Sequence, residues 1–175
     1  MIKIYWHSLF PSTENFFETA LEELRLKLKE SYPQIPDVYF EPVSDAEVRY
    51  VSRDETYQRG GLLDEQSLNP LQAKRLVVIC QGNEPFVLTA KEANPMASWG
   101  AAIQGEYALI WEPNNKYLIW HETLHILYAM DSYDKNRQTT CEEPRCIMQW
   151  EPTAENCGGD LYICEGNIKR ILNCA

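Results

Sequence analysis

The stretch WHETLHILYAMDSYD, residues 120–134, carries His121, Glu122 and His125 on an expected helix, with Asp131 and Tyr133 just beyond it. Histidines four residues apart project from one helix face, so both can place a ring nitrogen on one zinc ion. Glu122, beside the first histidine, is directed at a water on that metal rather than at the metal itself. The metal lowers the pKa of the water, and the carboxylate takes its proton as it attacks a carbonyl carbon. The bland alternative is a buried helix whose histidines hydrogen-bond locally. The whole chain holds 3 histidines, and two of them stand at ligand spacing with the acid in the required slot. Burying two imidazoles and a carboxylate on an apolar helix is costly without a compensating partner, which favours the metal.

A catalytic zinc ion usually has three protein ligands and one open position. The remaining histidine, His7, is distant in sequence, so a carboxylate is expected as the third ligand. Asp131 follows the helix directly and reaches the metal only through a sharp turn. Glu142 and Glu143 rank second, because their Cys- and Pro-containing stretch has no helical pattern.

The segment HETLHILYAMDSY resembles the metzincin clan of zinc peptidases, whose pattern is His-Glu-x-x-His-x-x-Gly-x-x-His or Asp. It is most similar to the snapalysin branch, in which the third ligand is Asp and a Tyr follows two residues later. The resemblance implies Asp131 as third ligand and Tyr133 as the group that steadies the developing oxyanion. Tyr128 stands where that pattern has glycine. A bulky residue disfavours a left-handed backbone, so the turn is expected elsewhere or in another form. Downstream, CEEPRCIMQW (141–150) offers Met148 for the clan's tight methionine turn beneath the zinc. Cys141, Cys146 and Met148 also resemble the archaemetzincins, where cysteines around this turn bind a second, structural zinc. The match is partial, since nine residues separate Asp131 from Cys141 and no closely spaced final Cys pair follows. For Cys141, Cys146, Cys157, Cys164 and Cys174 two outcomes stay open: thiolates on zinc, or disulfides. In metzincins the strand before the zinc helix is the sheet edge that takes the substrate as an added antiparallel strand. GEYALIWE (105–112) occupies that place, and Trp99, Trp111 and Trp150 are candidates to line a cleft.

These residues need a frame, and the first half reads as alternating strand and helix. IKIYW (2–6), DVYFEPV (37–43), a weaker AEVRYVS (46–52), RLVVIC (75–80), PFVLTA (85–90) and YALIWE (107–112) are strand candidates. RLVVIC suits a central position. NFFETALEELRLKLKE (15–30) is the clearest amphipathic helix, with Phe17, Ala20, Leu21, Leu24 and Leu28 on one face and Pro11, Ser12 and Thr13 as its start signal. A short helix is expected around 70–74, the zinc helix over 117–130, and a late helix over 165–172. The expected fold is therefore α/β (α+β): a mixed twisted sheet with packed helices, the zinc helix, and an irregular Cys-rich C-terminal part. By the resemblance this arrangement is zincin-like. One domain is expected over 1–175, with sheet and helices in 1–130 and a small subdomain in 131–175.

The formal charge of −10 argues against nucleic acid as a partner, because phosphates call for clustered Lys and Arg. No apolar leader or membrane-length span stands out, so a cytoplasmic place is the default, or an extracellular one if a leader was removed. Nothing points to an oligomer, so a monomer acting on a peptide or protein is expected. Together these features imply a zinc-dependent peptidase with one catalytic zinc and room for a second. The competing expectation is an inactive zinc-stabilised scaffold bearing the same residues.

Overall fold

The computed structural model describes residues 1–8, 11–42, 50–51, 77–81, 87–88, 100–105, 107–110, 114–134, 136, 138 and 140–174. These form a mixed α/β arrangement. Strands β1 (Ile2–Ser8), β2 (Val38–Pro42), β4 (Val77–Gln81), β6 (Gly100–Ile103) and β7 (Tyr107–Ile110) make one sheet, and β3 (Tyr50–Val51) pairs in parallel with β5 (Val87–Leu88) in a second. The helices are α1 (Pro11–Ser31), α2 (Lys116–Ile126) and α3 (Glu165–Cys174). The helix expected around 70–74 lies outside the described residues. No helix among those described is long and apolar enough to cross a membrane.

The five-stranded sheet runs β2-β1-β4-β7-β6. β1 and β2 are parallel, while β1 with β4, β4 with β7, and β6 with β7 are antiparallel. RLVVIC thus supplies the central strand, as its apolar β-branched composition favours. The expectation that residues 105–112 form the sheet edge is corrected. β7 is flanked on both sides, and the edge is β6, four residues of Gly, Ala and Ile whose composition carries no strand signal.

Helix α1 begins at Pro11, a turn before the apolar pattern, since proline suits the first helical position. Phe17, Ala20, Leu21, Leu24 and Leu28 are all buried, the stripe their spacing dictates. Phe17 packs on Trp6 of β1 at a ring separation of 5.3 Å. The opposite side of that core is α2, whose fully buried Trp120 donates from Nε1 to the Ala20 carbonyl at 2.8 Å. Lys116 of α2 pairs with Glu23 of α1 at 3.0 Å. Helix α2 is therefore locked to α1 at its start and has its inner residues available for the site.

Both ends of α2 are made by identifiable caps. Asn115 accepts from the Tyr117 and Leu118 amides at 3.1 and 3.3 Å, satisfying two of the orphan donors of the first turn. The helix ends at Ile126, four residues before the expected limit. Its end is a Schellman motif: Tyr128 N–H donates to His125 C=O at 2.9 Å, and Ala129 N–H to Leu124 C=O at 3.0 Å. That motif requires a left-handed residue, and Tyr128 takes it with φ 69°. The expectation that the turn is made elsewhere is thus corrected: Tyr128 makes it, in the place usually given to glycine. Its ring lies over Gly105 in the β6–β7 turn, at φ 72°, where a Cβ would stand inside the envelope of the phenol. Gly105 N–H donates to His125 C=O at 3.2 Å, and Gln104 Nε2 to Ala129 C=O at 2.8 Å. The β-turn and the helix end hold each other. Gly105→Ala is expected to cost at least about 2 kcal/mol of unfolding free energy, from left-handed backbone and overpacking together. A urea midpoint equal to that of the unaltered protein would contradict this account of the turn.

Candidate metal centre

The one-face spacing of His121 and His125 and the turn at Tyr128 bring three side chains together. The two Nε2 atoms are 3.2 Å apart, and Asp131 Oδ1 lies 3.3 Å from His121 Nε2 and 3.2 Å from His125 Nε2. This is a group that could hold a metal ion. The histidines are buried, and the Asp131 side chain is 40% exposed, so the group opens to solvent on the aspartate side.

The outer nitrogens decide what the inner ones offer. His121 Nδ1 donates to the Ile147 carbonyl and His125 Nδ1 to the Ala129 carbonyl, each at 2.9 Å. A carbonyl only accepts, so each neutral ring carries its proton on Nδ1 and presents a lone pair from Nε2. Two lone pairs and a carboxylate oxygen at such distances repel unless something positive lies among them. A proton relieves one edge of the triangle, whereas a cation relieves all three. Burial lowers the His125 pKa, but the hydrogen bond to Asp131 and the charges of Glu122 and Asp131 outweigh it and the net direction is up. Burial also opposes ionisation of Asp131, yet the two imidazoles, which donate to it from Nε2 when protonated, hold it well below the usual carboxylate range.

Glu122 is buried beside this group, and no described residue donates a hydrogen bond to its carboxylate. Burial raises its pKa, against the charges of His121 and His125. A carboxylate buried with no hydrogen-bond donor among the described residues is a cost for a purely structural helix position. Tyr133 is half-buried and hydrogen-bonds Asp131. Burial first, and then the charge of Asp131, push its phenol well above the ordinary value. Its ring packs edge-to-face on Trp150 at 5.1 Å. Of the other tryptophans named from sequence, Trp99 and Trp111 lie outside the described residues.

Met148 is fully buried in a tight turn closed by Gln149 N–H to Cys146 C=O at 3.2 Å. The turn lies against the histidines, since its Ile147 supplies the carbonyl that orients His121. Glu142 and Glu143 are not brought to the histidines, and Glu143 instead pairs with Arg145 at 3.1 Å. The side chain of His7 lies outside the described residues.

A second group gathers Cys141, Cys146 and Cys164, with sulfur atoms within 4.8 Å of one another. Cys157 and Cys174 stand apart from it: Cys157 is buried against Gln149 Nε2 at 3.5 Å, and Cys174 is exposed at the end of α3. All five are free thiols in this structure. Burial pushes Cys141 up to about 11 and raises Cys146. For Cys164 burial acts upward too, but hydrogen bonds from the Asn167 backbone, the other two thiols and Ser132 prevail and lower it. Three cysteine sulfurs so placed are a soft donor set. A cavity of about 520 Å³ is lined by residues of both groups, among them Asp131, Ser132, Cys141 and Cys164.

Sequence reasoning missed the residues that hold the ligands rather than serve as them: Gln104, Gly105, Ser132 and Asn167. For Asn167 there was a signal, a poor helix former in the interior of an otherwise amphipathic segment. Compared with models of known families, with curated proteins and with solved structures, the chain gives no match in any of the three.

Proposed function

We propose that this chain is a zinc-dependent peptidase of metzincin type. The observation that carries the reading is the triangle of His121 Nε2, His125 Nε2 and Asp131 Oδ1, with edges of 3.2–3.3 Å, beside the buried carboxylate of Glu122. A tetrahedron built on metal–donor bonds of about 2.0–2.1 Å has edges of about 3.3–3.4 Å, so the donors stand where a zinc ion needs them. The left-handed cap at Tyr128, the Asp131 carboxylate three residues beyond it and the buried methionine turn support the same reading.

Zinc held there supplies Lewis acidity, polarising a peptide carbonyl and bringing the pKa of water near neutrality. The chain's own residues supply the rest. Glu122, kept basic and dry by its burial, takes a proton from the attacking water and delivers it to the amine nitrogen as the C–N bond breaks. Tyr133, braced by Trp150, donates its hydroxyl hydrogen to the carbonyl oxygen as that oxygen gains charge. The histidines stay in one tautomer because Ile147 and Ala129 fix their outer nitrogens. The extended substrate adds as a strand beside β6, an edge of the sheet among the described residues, whose turn is fastened to the helix end at His125.

We assign the three-cysteine group to a second, structural zinc. The unaltered chain is expected to hold close to two zinc ions and Cys146→Ser close to one, with loss of thermal stability; equal zinc content in both would remove that assignment. Peptide hydrolysis is tested by a peptide library incubated with the zinc-loaded chain, with and without chelator. Cleavage abolished by chelator and restored by zinc is expected. Zinc retained with no peptide cleaved would leave a zinc-stabilised scaffold instead.

A further inference from the structure

Asp131 sits on a chain that has just left a helix, with its carboxylate half open to solvent. The residues on either side are both gripped from α3. Asn167 Oδ1 accepts from Met130 N–H at 2.8 Å, Asn167 Nδ2 donates to Met130 C=O at 2.9 Å, and the same amide nitrogen lies 3.3 Å from Ser132 Oγ. Asn167 is 3% exposed, and a buried amide so fully used is committed to one orientation. Ser132 is fixed a second time, its N–H donating to Met148 C=O at 2.8 Å. Asn167 itself lies in the first turn of α3, where its N–H donates to Cys164 C=O at 3.0 Å.

We propose that Asn167 is the positioning residue of the third metal ligand. By fixing the Met130 backbone before Asp131 and the Ser132 hydroxyl after it, it sets the carboxylate on His121 and His125 in advance of the metal. The metal then meets a formed triangle rather than collecting a mobile side chain, and the ordering cost is removed from binding. This explains how the approach of Asp131 is held although the cap before it is a strained Tyr128 rather than a glycine. The assignment rests on the metal reading of the His121, His125 and Asp131 group.

The test uses the full chain and zinc alone, buffered by competing chelators, with the imidazole ¹⁵N shifts of the three histidines as readout. His121 and His125 report occupancy. Asn167→Ala and Asn167→Leu, the latter close in volume and a good helix former, are expected to raise the free zinc at half-occupancy about 10- to 100-fold. The melting temperature of the metal-free protein is measured in parallel, because a merely structural role would lower that temperature and leave zinc affinity in the folded chain unchanged. Filling of both variants at the free zinc concentration of the unaltered chain would overturn the proposal. Variants that are unfolded without metal would assign Asn167 to the fold and overturn it as well. An unaltered chain whose His121 and His125 shifts ignore zinc would instead sink the metal reading, and this assignment with it.

Discussion

Glu122→Gln is expected to abolish peptide hydrolysis while leaving zinc in place, with a fall in kcat of about 10²- to 10⁴-fold or more. The amide has nearly the same shape, so the histidine triangle beside it is undisturbed, but it cannot take a proton from water. A second readout follows from the burial of Glu122 without a hydrogen-bond donor among the described residues. Replacing an unpaired buried carboxylate with a neutral amide removes a desolvation cost, so the metal-free variant should be more stable by about 1 kcal/mol or more. A catalytic role predicts activity and stability moving in opposite directions. A variant that keeps turnover, or that loses zinc together with activity, would show that Glu122 has a different task.

Asp131→Ala is expected to have the next largest effect, on metal rather than on fold. Asp131 Oδ1 closes two edges of the triangle, at 3.3 Å to His121 and 3.2 Å to His125, and its removal leaves two imidazoles only. A ligand that binds only the folded state stabilises it by about 2.7 kcal/mol at a concentration one hundred times its dissociation constant. The melting temperature of the unaltered chain should therefore climb with added zinc. In Asp131→Ala that rise should shrink to the part carried by the cysteine group, and turnover should vanish. An undiminished rise would mean that another residue completes the site.

The sequence was most informative where periodicity and chemistry coincide. The stripe of α1 and the central place of β4 were legible because apolar spacing and β-branched composition report burial directly. The spacing of His121 and His125 was legible because a helix of fixed pitch turns a sequence interval into a distance. The edge strand was not: Gly100–Ile103 has small residues and no alternation, and it becomes a strand only because β7 offers it a partner. The helix end was misplaced for the opposite reason. YAM continues the apolar run past Ile126, and only the Schellman bonds from Tyr128 and Ala129 halt it. Tyr128 also shows how tertiary contact overrides local preference, since a ring packed over Gly105 offsets the left-handed strain. Sequence spacing was equally silent on which cysteines meet: Cys164 joins Cys141 and Cys146 across an irregular tail, while Cys157, nearer in sequence, does not.

The measurement that bears most directly on the central claim is a crystal of the zinc-loaded chain, mapped by anomalous scattering at the zinc edge. One peak is predicted about 2.0–2.2 Å from His121 Nε2, His125 Nε2 and an Asp131 carboxylate oxygen. Absence of a peak there, or a peak on the histidines with Asp131 turned away and another protein ligand in its place, would contradict the account.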